Sequence, residues 1–107
     1  MNILVVGGGG REHAIAATLS KSPLTTRLIV APGNPGIETF AECYPIAADD
    51  IPGQCKLAQD IMADIVFIGP EIPLVLGLKD ELSKLGINAF GPSKKAAQLE
   101  GSKTFSR

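Results

Sequence analysis

Four consecutive glycines, Gly7 to Gly10, followed by Arg11-Glu12-His13, form the run best suited to chemistry in this chain. They come directly after Ile3-Leu4-Val5-Val6, a continuous aliphatic stretch of the kind buried on both faces of a parallel sheet. A strand, a glycine turn and a helix start together suit a phosphate group. The unpaired N–H groups of the first helical turn point at an anion, and the helix dipole adds to the attraction. Glycine lets the backbone come close and adopt positive φ. Arg11 adds a planar cationic fork at the same end. The bland alternative is a tight strand-to-helix turn with no ligand.

The same run argues against a dinucleotide. Gly7-x-Gly9 is followed by Glu12 where a third glycine belongs, and Gly8-x-Gly10 is followed by His13. Neither register completes G-x-G-x-x-G/A. The second strand ends Ile29-Val30-Ala31-Pro32, with no acid to hold a ribose 2′-hydroxyl. Glu12, in the first helical turn, complements the helix dipole, a role set ahead of direct catalysis. His13 precedes an apolar helix face and reads as a hydrogen-bonded packing residue ahead of a base.

Other strand ends carry candidates. Pro32-Gly33-Asn34-Pro35-Gly36 is a turn in which Asn34 either shapes the backbone or touches a ligand. Gly69-Pro70-Glu71 sets a carboxylate just past the fourth strand, where the strand order is expected to reverse beside the first. Glu71 either accepts a hydrogen bond from a ribose hydroxyl or amine, or simply sits near a helix start.

The elements that position these residues follow from periodicity and turn chemistry. Helices are expected over Arg11 to Lys21, Ile51 to Ala63 (pairs Leu57/Ile61 and Ala58/Met62) and Pro73 to Leu85 (stripe Leu74, Leu78, Leu82; Gly86 closing). Further strands are expected at Arg27 to Ala31, at Cys43 to Ala47 as a weak edge strand because of Pro45, at Ile65 to Ile68 and at Ile87 to Phe90. A helical turn over Ile37 to Glu42 and a last helix, Lys94 to Glu100 capped by Ser93, complete the reading. This alternation predicts an α/β fold: an open, parallel, five-stranded Rossmann-like sheet with helices on both faces. Residues 1–100 form the domain, and the polar stretch 101–107 reads as the start of a linker into something further.

Bulk properties narrow the function. The 107 residues suffice for one domain with one sizeable core. A formal net charge of −1 gives no footprint for nucleic acid or anionic lipid, so any charged ligand must be held by local groups. Cys43 and Cys55 lack CxxC spacing and there is a single histidine, which argues against a metal site or disulfide framework and for free thiols in a reducing compartment. No stretch approaches the ~20 apolar residues of a membrane span, and the N-terminus lacks signal-peptide character. A cytoplasmic location is expected.

Val6-Gly7-Gly8-Gly9-Gly10-Arg11-Glu12-His13-Ala14 resembles the G-x-G-G-R-E-H-A opening of the glycinamide ribonucleotide synthetase (phosphoribosylamine–glycine ligase) family. Ala31-Pro32-Gly33-Asn34-Pro35-Gly36 resembles its A-P-G-N-x-G, and Val66 to Leu74 its V-G-P-E-x-P-L. Phe90-Gly91-Pro92-Ser93, Ala96 to Glu100 and Ser102-Lys103 resemble its F-G-P-[ST]…A-A-Q-L-E-x-S-K. Order and spacing agree across nearly all of the chain. Gly8 and Ile72 are mild departures, standing where the family often has Asn or Ser, and Ala.

The resemblance implies an ATP-grasp ligase of purine biosynthesis and, for this chain, its pre-ATP-grasp domain. That family joins 5-phosphoribosylamine to glycine through a glycyl phosphate, using ATP and Mg2+. By carry-over, substrate binding falls to Gly9, Gly10, Arg11, Glu12, Gly33, Asn34, Gly69, Pro70 and Glu71. The first three would cradle the 5-phosphate, with Asn34 and Glu71 at the sugar end. Lys103 matches an ATP-binding lysine. No catalytic or metal-binding residue is assigned. The implied partners are 5-phosphoribosylamine, glycine, ATP and the rest of a parent ligase chain. The ATP-grasp domains are absent from these 107 residues, so no tightly bound cofactor and no ligase activity are expected of the chain alone. Two other classes fit less well: an NAD-dependent oxidoreductase domain, disfavoured by the missing acid, and a signalling α/β module, disfavoured by glycines where such modules carry acids.

Overall fold

A central strand buried on both faces organises the molecule. The structure, a computed structural model, describes residues 1–91, the Leu74 side chain excepted. β1 (Asn2–Gly7) pairs in parallel with β2 (Arg27–Pro32) on one side and with β4 (Ile65–Ile68) on the other. β3 (Glu42–Cys43) and β5 (Asn88–Phe90) form the edges, giving the five-stranded order β3-β2-β1-β4-β5. The register sets Val5 between Val30 and Phe67 and Val6 between Ala31 and Ile68.

Alternation along β1 sends its side chains to two cores. Leu4 and Val6 join Ile29, Val66 and Ile68 against α2 (Ile51–Asp60) and α4 (Leu78–Lys84). Ile3 and Val5 join Leu28 and Val30 against α1 (Gly10–Ser20), with Ala16 buried in the seam. Burial on both faces explains why β1 reads as an unbroken aliphatic run. The parallel sheet with helices on both faces is the expected architecture.

Several boundaries differ from expectation, each for a local reason. The single helix expected over Pro73 to Leu85 is two: α3 (Glu71–Val75) and α4, separated at Gly77. Gly77 is left-handed, with φ +93°, which no residue inside an α-helix adopts. α3 also begins two residues early, with Pro73 in its first turn, where a missing N–H is harmless. Leu78 and Leu82 are buried as the stripe predicts. α2 stops at Asp60, because Met62 turns to φ +54° and points outward, 77% exposed, so the expected Ala58/Met62 pair does not form. Its N-cap is Asp50, whose carboxylate accepts the Gly53 N–H at 3.1 Å.

β3 lies earlier and is shorter than Cys43 to Ala47, ending before Pro45, which has no N–H to offer a ladder. The Ile37 to Glu42 turn tightens to a 3-10 turn, Ile37–Thr39. The helix expected at Lys94 to Glu100, its cap Ser93 and the boundary at residue 100 lie outside the described residues. Among those described, no helix is long and apolar enough to cross a membrane.

Where β3 runs out, a side chain replaces it. Tyr44 N–H still reaches the Val30 carbonyl, but beyond that point β2 has no neighbour strand on its β3 side. The fully buried Gln54 of α2 donates its amide to the carbonyls of Ala31, Ile46 and Ala47 at 3.3, 3.2 and 3.0 Å. It thereby fixes the carboxyl end of β2, from which the Gly33-Asn34 turn springs.

Candidate functional site at the switch point

From β1 the chain first moves to β2 and later returns to β4 on the other side. The crevice beyond the carboxyl ends of β1 and β4 is therefore the switch point, the usual ligand position in such sheets.

The four glycines differ in what holds them. Gly7 ends β1 at φ +130°, and a Cβ there would run into the Glu12 side chain. Gly8 lies against the backbone of Gly33, whose carbonyl oxygen a Cβ would strike. Gly9 caps α1 in extended geometry. Gly10 begins α1 with nothing within 4 Å of where its Cβ would stand. Glycine costs a helix about 1 kcal/mol relative to alanine, and neither backbone angle nor neighbour demands it at Gly10. Bare backbone facing open space is what a phosphate needs to reach the first-turn N–H groups. Those of Gly10, Arg11 and Glu12 have no intrahelical acceptor, and no described loop or side-chain group takes them. The Gly9 N–H differs: it donates to Glu12 Oε1 at 3.0 Å and is already used.

Glu12 is buried, 6% exposed. Its Oε1 makes one half of a capping box; the other half is impossible because Gly9 has no side chain. The carboxylate lies across the switch point, for a Cβ on Gly69, at the end of β4, would overlap it as one on Gly7 would. From its place in the first helical turn, Glu12 is expected to complement the helix dipole. That charge effect is present, but burial between two strand-end glycines is a further feature, whose only trace in sequence is the pairing of Gly7 and Gly69 with an early helical acid. Arg11 is exposed and makes no ion pair among the described residues.

The second loop is zipped onto the first. Gly33 N–H donates to the Gly7 carbonyl at 3.0 Å, and Asn34 Nδ2 donates to the Gly8 carbonyl at 2.8 Å. Asn34 Oδ1 accepts the Ile37 N–H at 3.0 Å, so Asn34 shapes the turn from both ends of its amide. Gly33 has φ +72°, and a Cβ would collide with Cys43 Sγ. Cys43 and Cys55 are free and half-buried, and burial raises both thiols above their ordinary value. His13 is half-buried with its ring edge-on to Phe40, centroids 5.4 Å apart, which agrees with packing, but its ring makes no hydrogen bond among the described residues.

Gly69 N–H donates to the Val6 carbonyl at 3.0 Å, extending the β1–β4 ladder to the crevice. Pro70 is half-buried, and Glu71 is exposed at the start of α3. The fold thus brings Gly9, Gly10, Arg11, Glu12, Gly33, Asn34, Gly69, Pro70 and Glu71 to one end of the sheet. Gln54, which anchors that end of β2, was missed; a buried amide among apolar residues has no signature in a single sequence. Lys103 lies outside the described residues. Among the described residues no group of three or more His, Cys, Asp or Glu side chains could hold a metal ion.

Comparison with known proteins bears on what this crevice holds. Residues 1–100 match the family described as phosphoribosylglycinamide synthetase, N domain. The whole chain is 53% identical over 107 residues to the phosphoribosylamine–glycine ligase of Caulobacter vibrioides, covering 25% of that relative. It is 50% identical over 109 residues to the ligase of the same name from Haemophilus influenzae, again covering 25%. With that of Caldanaerobacter subterraneus it shares 50% over 107 residues, covering 26%. The chain spans about a quarter of the length of the curated relatives it matches.

Proposed function

We propose, from the premise that the chain belongs to the phosphoribosylglycinamide synthetase N-domain family, that it supplies the sugar-phosphate half of a ligase active site. The complete enzyme would join glycine to 5-phosphoribosylamine in purine biosynthesis, through a glycyl phosphate formed with ATP and Mg2+. In this reading Gly10 and Arg11, with Gly9 beside them, receive the 5-phosphate at the start of α1. Asn34, Gly33, Gly69, Pro70 and Glu71 line the sugar end. Residues 1–100 form the binding domain, and 101–107 lead on, with Lys103 reaching nucleotide phosphate. ATP, glycine and magnesium are held by further polypeptide of the kind the longer relatives carry, and the setting is cytoplasmic.

One observation carries the reading. Gly10 is a helix-opening glycine that the protein's own packing does not require, placed among unpaired first-turn N–H groups and next in sequence to the exposed Arg11. A charge-assisted phosphate contact contributes about 1.5–3 kcal/mol. Titration of the chain with ribose 5-phosphate is therefore expected to show weak binding, with affinity falling about tenfold or more in Arg11→Ala. Tight NAD binding in the same titration would overturn the reading. In an assay with glycine, ATP and 5-phosphoribosylamine, this chain alone is expected to consume no ATP.

A further inference from the structure

Glu12 poses a question that the helix dipole does not answer. An acid complements a dipole from an exposed position in the first turn. This one is buried, and both Gly7 and Gly69 give up a side chain to make room for it. Only half of the carboxylate is used: Oε1 accepts the Gly9 N–H, while Oε2 has no partner among the described residues, and no described cation pairs with it. Oε2 is not sealed in, since the fully enclosed, unpartnered side-chain atoms are Thr25 Oγ1 and Gln54 Oε1. A largely buried carboxylate whose free oxygen can still be reached is open to a donor from solvent or from a ligand.

What can reach it is limited by charge. The phosphate cradle is on the same turn, and a carboxylate repels a phosphate. Oε2 lies toward β4, away from the Gly9 N–H that occupies Oε1, so it meets a different part of whatever the N–H groups of Gly10 and Arg11 hold. We propose that Glu12 selects the group at the anomeric carbon of the sugar phosphate: Oε2 accepts a hydrogen bond from a neutral N–H or O–H there and excludes an anion. This deepens, and rests on, the sugar-phosphate reading above. An aminosugar phosphate would place its amine on this oxygen by an N–H, leaving the nitrogen lone pair turned outward. A sugar carrying a diphosphate at the same carbon would be refused.

The test titrates the full chain with three probes differing only at the anomeric carbon, following the amide signals of Gly9 and Gly10 by NMR. Ribose 5-phosphate offers a hydroxyl, 1,4-anhydroribitol 5-phosphate offers nothing, and 5-phosphoribosyl 1-diphosphate offers an anion. The expected order of affinity is hydroxyl, bare, diphosphate, with about tenfold or more between the first two. Glu12→Gln keeps an oxygen for the Gly9 N–H and turns the second position into a donor. It is expected to shrink the advantage of the hydroxyl, which would then accept from an uncharged amide, and to raise the affinity for the diphosphate. Wild-type affinities within about twofold of one another for all three probes would overturn the proposal, whether or not the variant folds. So would a variant that keeps the wild-type order and spacing. If wild type binds none of the three, the sugar-phosphate reading itself fails, and this inference with it.

Discussion

The two strand ends that meet at the switch point are built differently. After β1, the turn leads into the eleven-residue helix α1, and the neighbouring loop is tied to it by bonds from Gly33 and Asn34. After β4, Gly69-Pro70 leads into a helix of five residues, α3, which stops at the left-handed Gly77. α3 and its C-terminal neighbour leave Ile72, Val75 and Leu76 at 63%, 83% and 54% exposed. One wall of the crevice is thus fixed by loop-to-loop hydrogen bonds and steric contact, while the other is fixed where Gly69 joins the ladder and where Pro73 of α3 is buried. The contrast teaches that the rigid wall is the one suited to holding a charged group in place, and that its glycines serve two purposes: some let the backbone pack on itself, and one keeps space open.

Substitution can break this contrast. The largest effect is expected from Gly7→Ala, where positive φ and overlap with Glu12 combine: a loss of about 2–5 kcal/mol in urea denaturation, or failure to fold. Gln54→Leu strips the donor from three carbonyls and is expected to cost about 2–3 kcal/mol in the same measurement. On the looser wall, Gly77→Ala has no neighbour to strike and meets only left-handed strain, expected at about 1–2 kcal/mol. Gly10→Ala sharpens the comparison by its sign. It is expected to stabilise the chain by about 0.5–1 kcal/mol while weakening ribose 5-phosphate binding. At the far edge of the sheet, the Arg27 guanidinium holds the Glu42 carboxyl below its ordinary value of 4.5 through hydrogen bonds at 2.8 and 2.9 Å. The folded pKa is the lower one, so the contribution is present above 4.5 and lost as pH falls through the folded value. Exposure and salt screening keep it small, and a slight acid-side fall in thermal midpoint that disappears in Glu42→Gln would register it.

Much of this was legible in the chain. The run Ile3 to Gly10 announces a buried parallel strand and its turn. Gly86, with φ +77°, ends α4 as its position predicts. What was not legible depends on contacts between distant segments. Helical periodicity continues through Leu74, Leu78 and Leu82, so nothing in the spacing marks Gly77 as a break; glycine is tolerated inside helices often enough to read through it. Asn34 was readable as a turn former or a ligand contact, and only its bond to the Gly8 carbonyl shows how fully the turn employs it. Glu12 looked like an ordinary first-turn acid because its socket is made by residues five positions before it and fifty-seven after it in the chain.

That socket ties three distant codons together. A larger residue at 69 needs a shorter one at 12, whereas position 7 is held to glycine by its positive φ as well as by the Glu12 side chain. Positions 7, 12 and 69 are therefore expected to be inherited as a set, with Gly69→Ala tolerated better beside Glu12→Ala than alone. A change at 12 or 69 is therefore expected to need its counterpart, while Gly7 stays fixed, which makes the trio a barrier to drift as well as a feature of the fold.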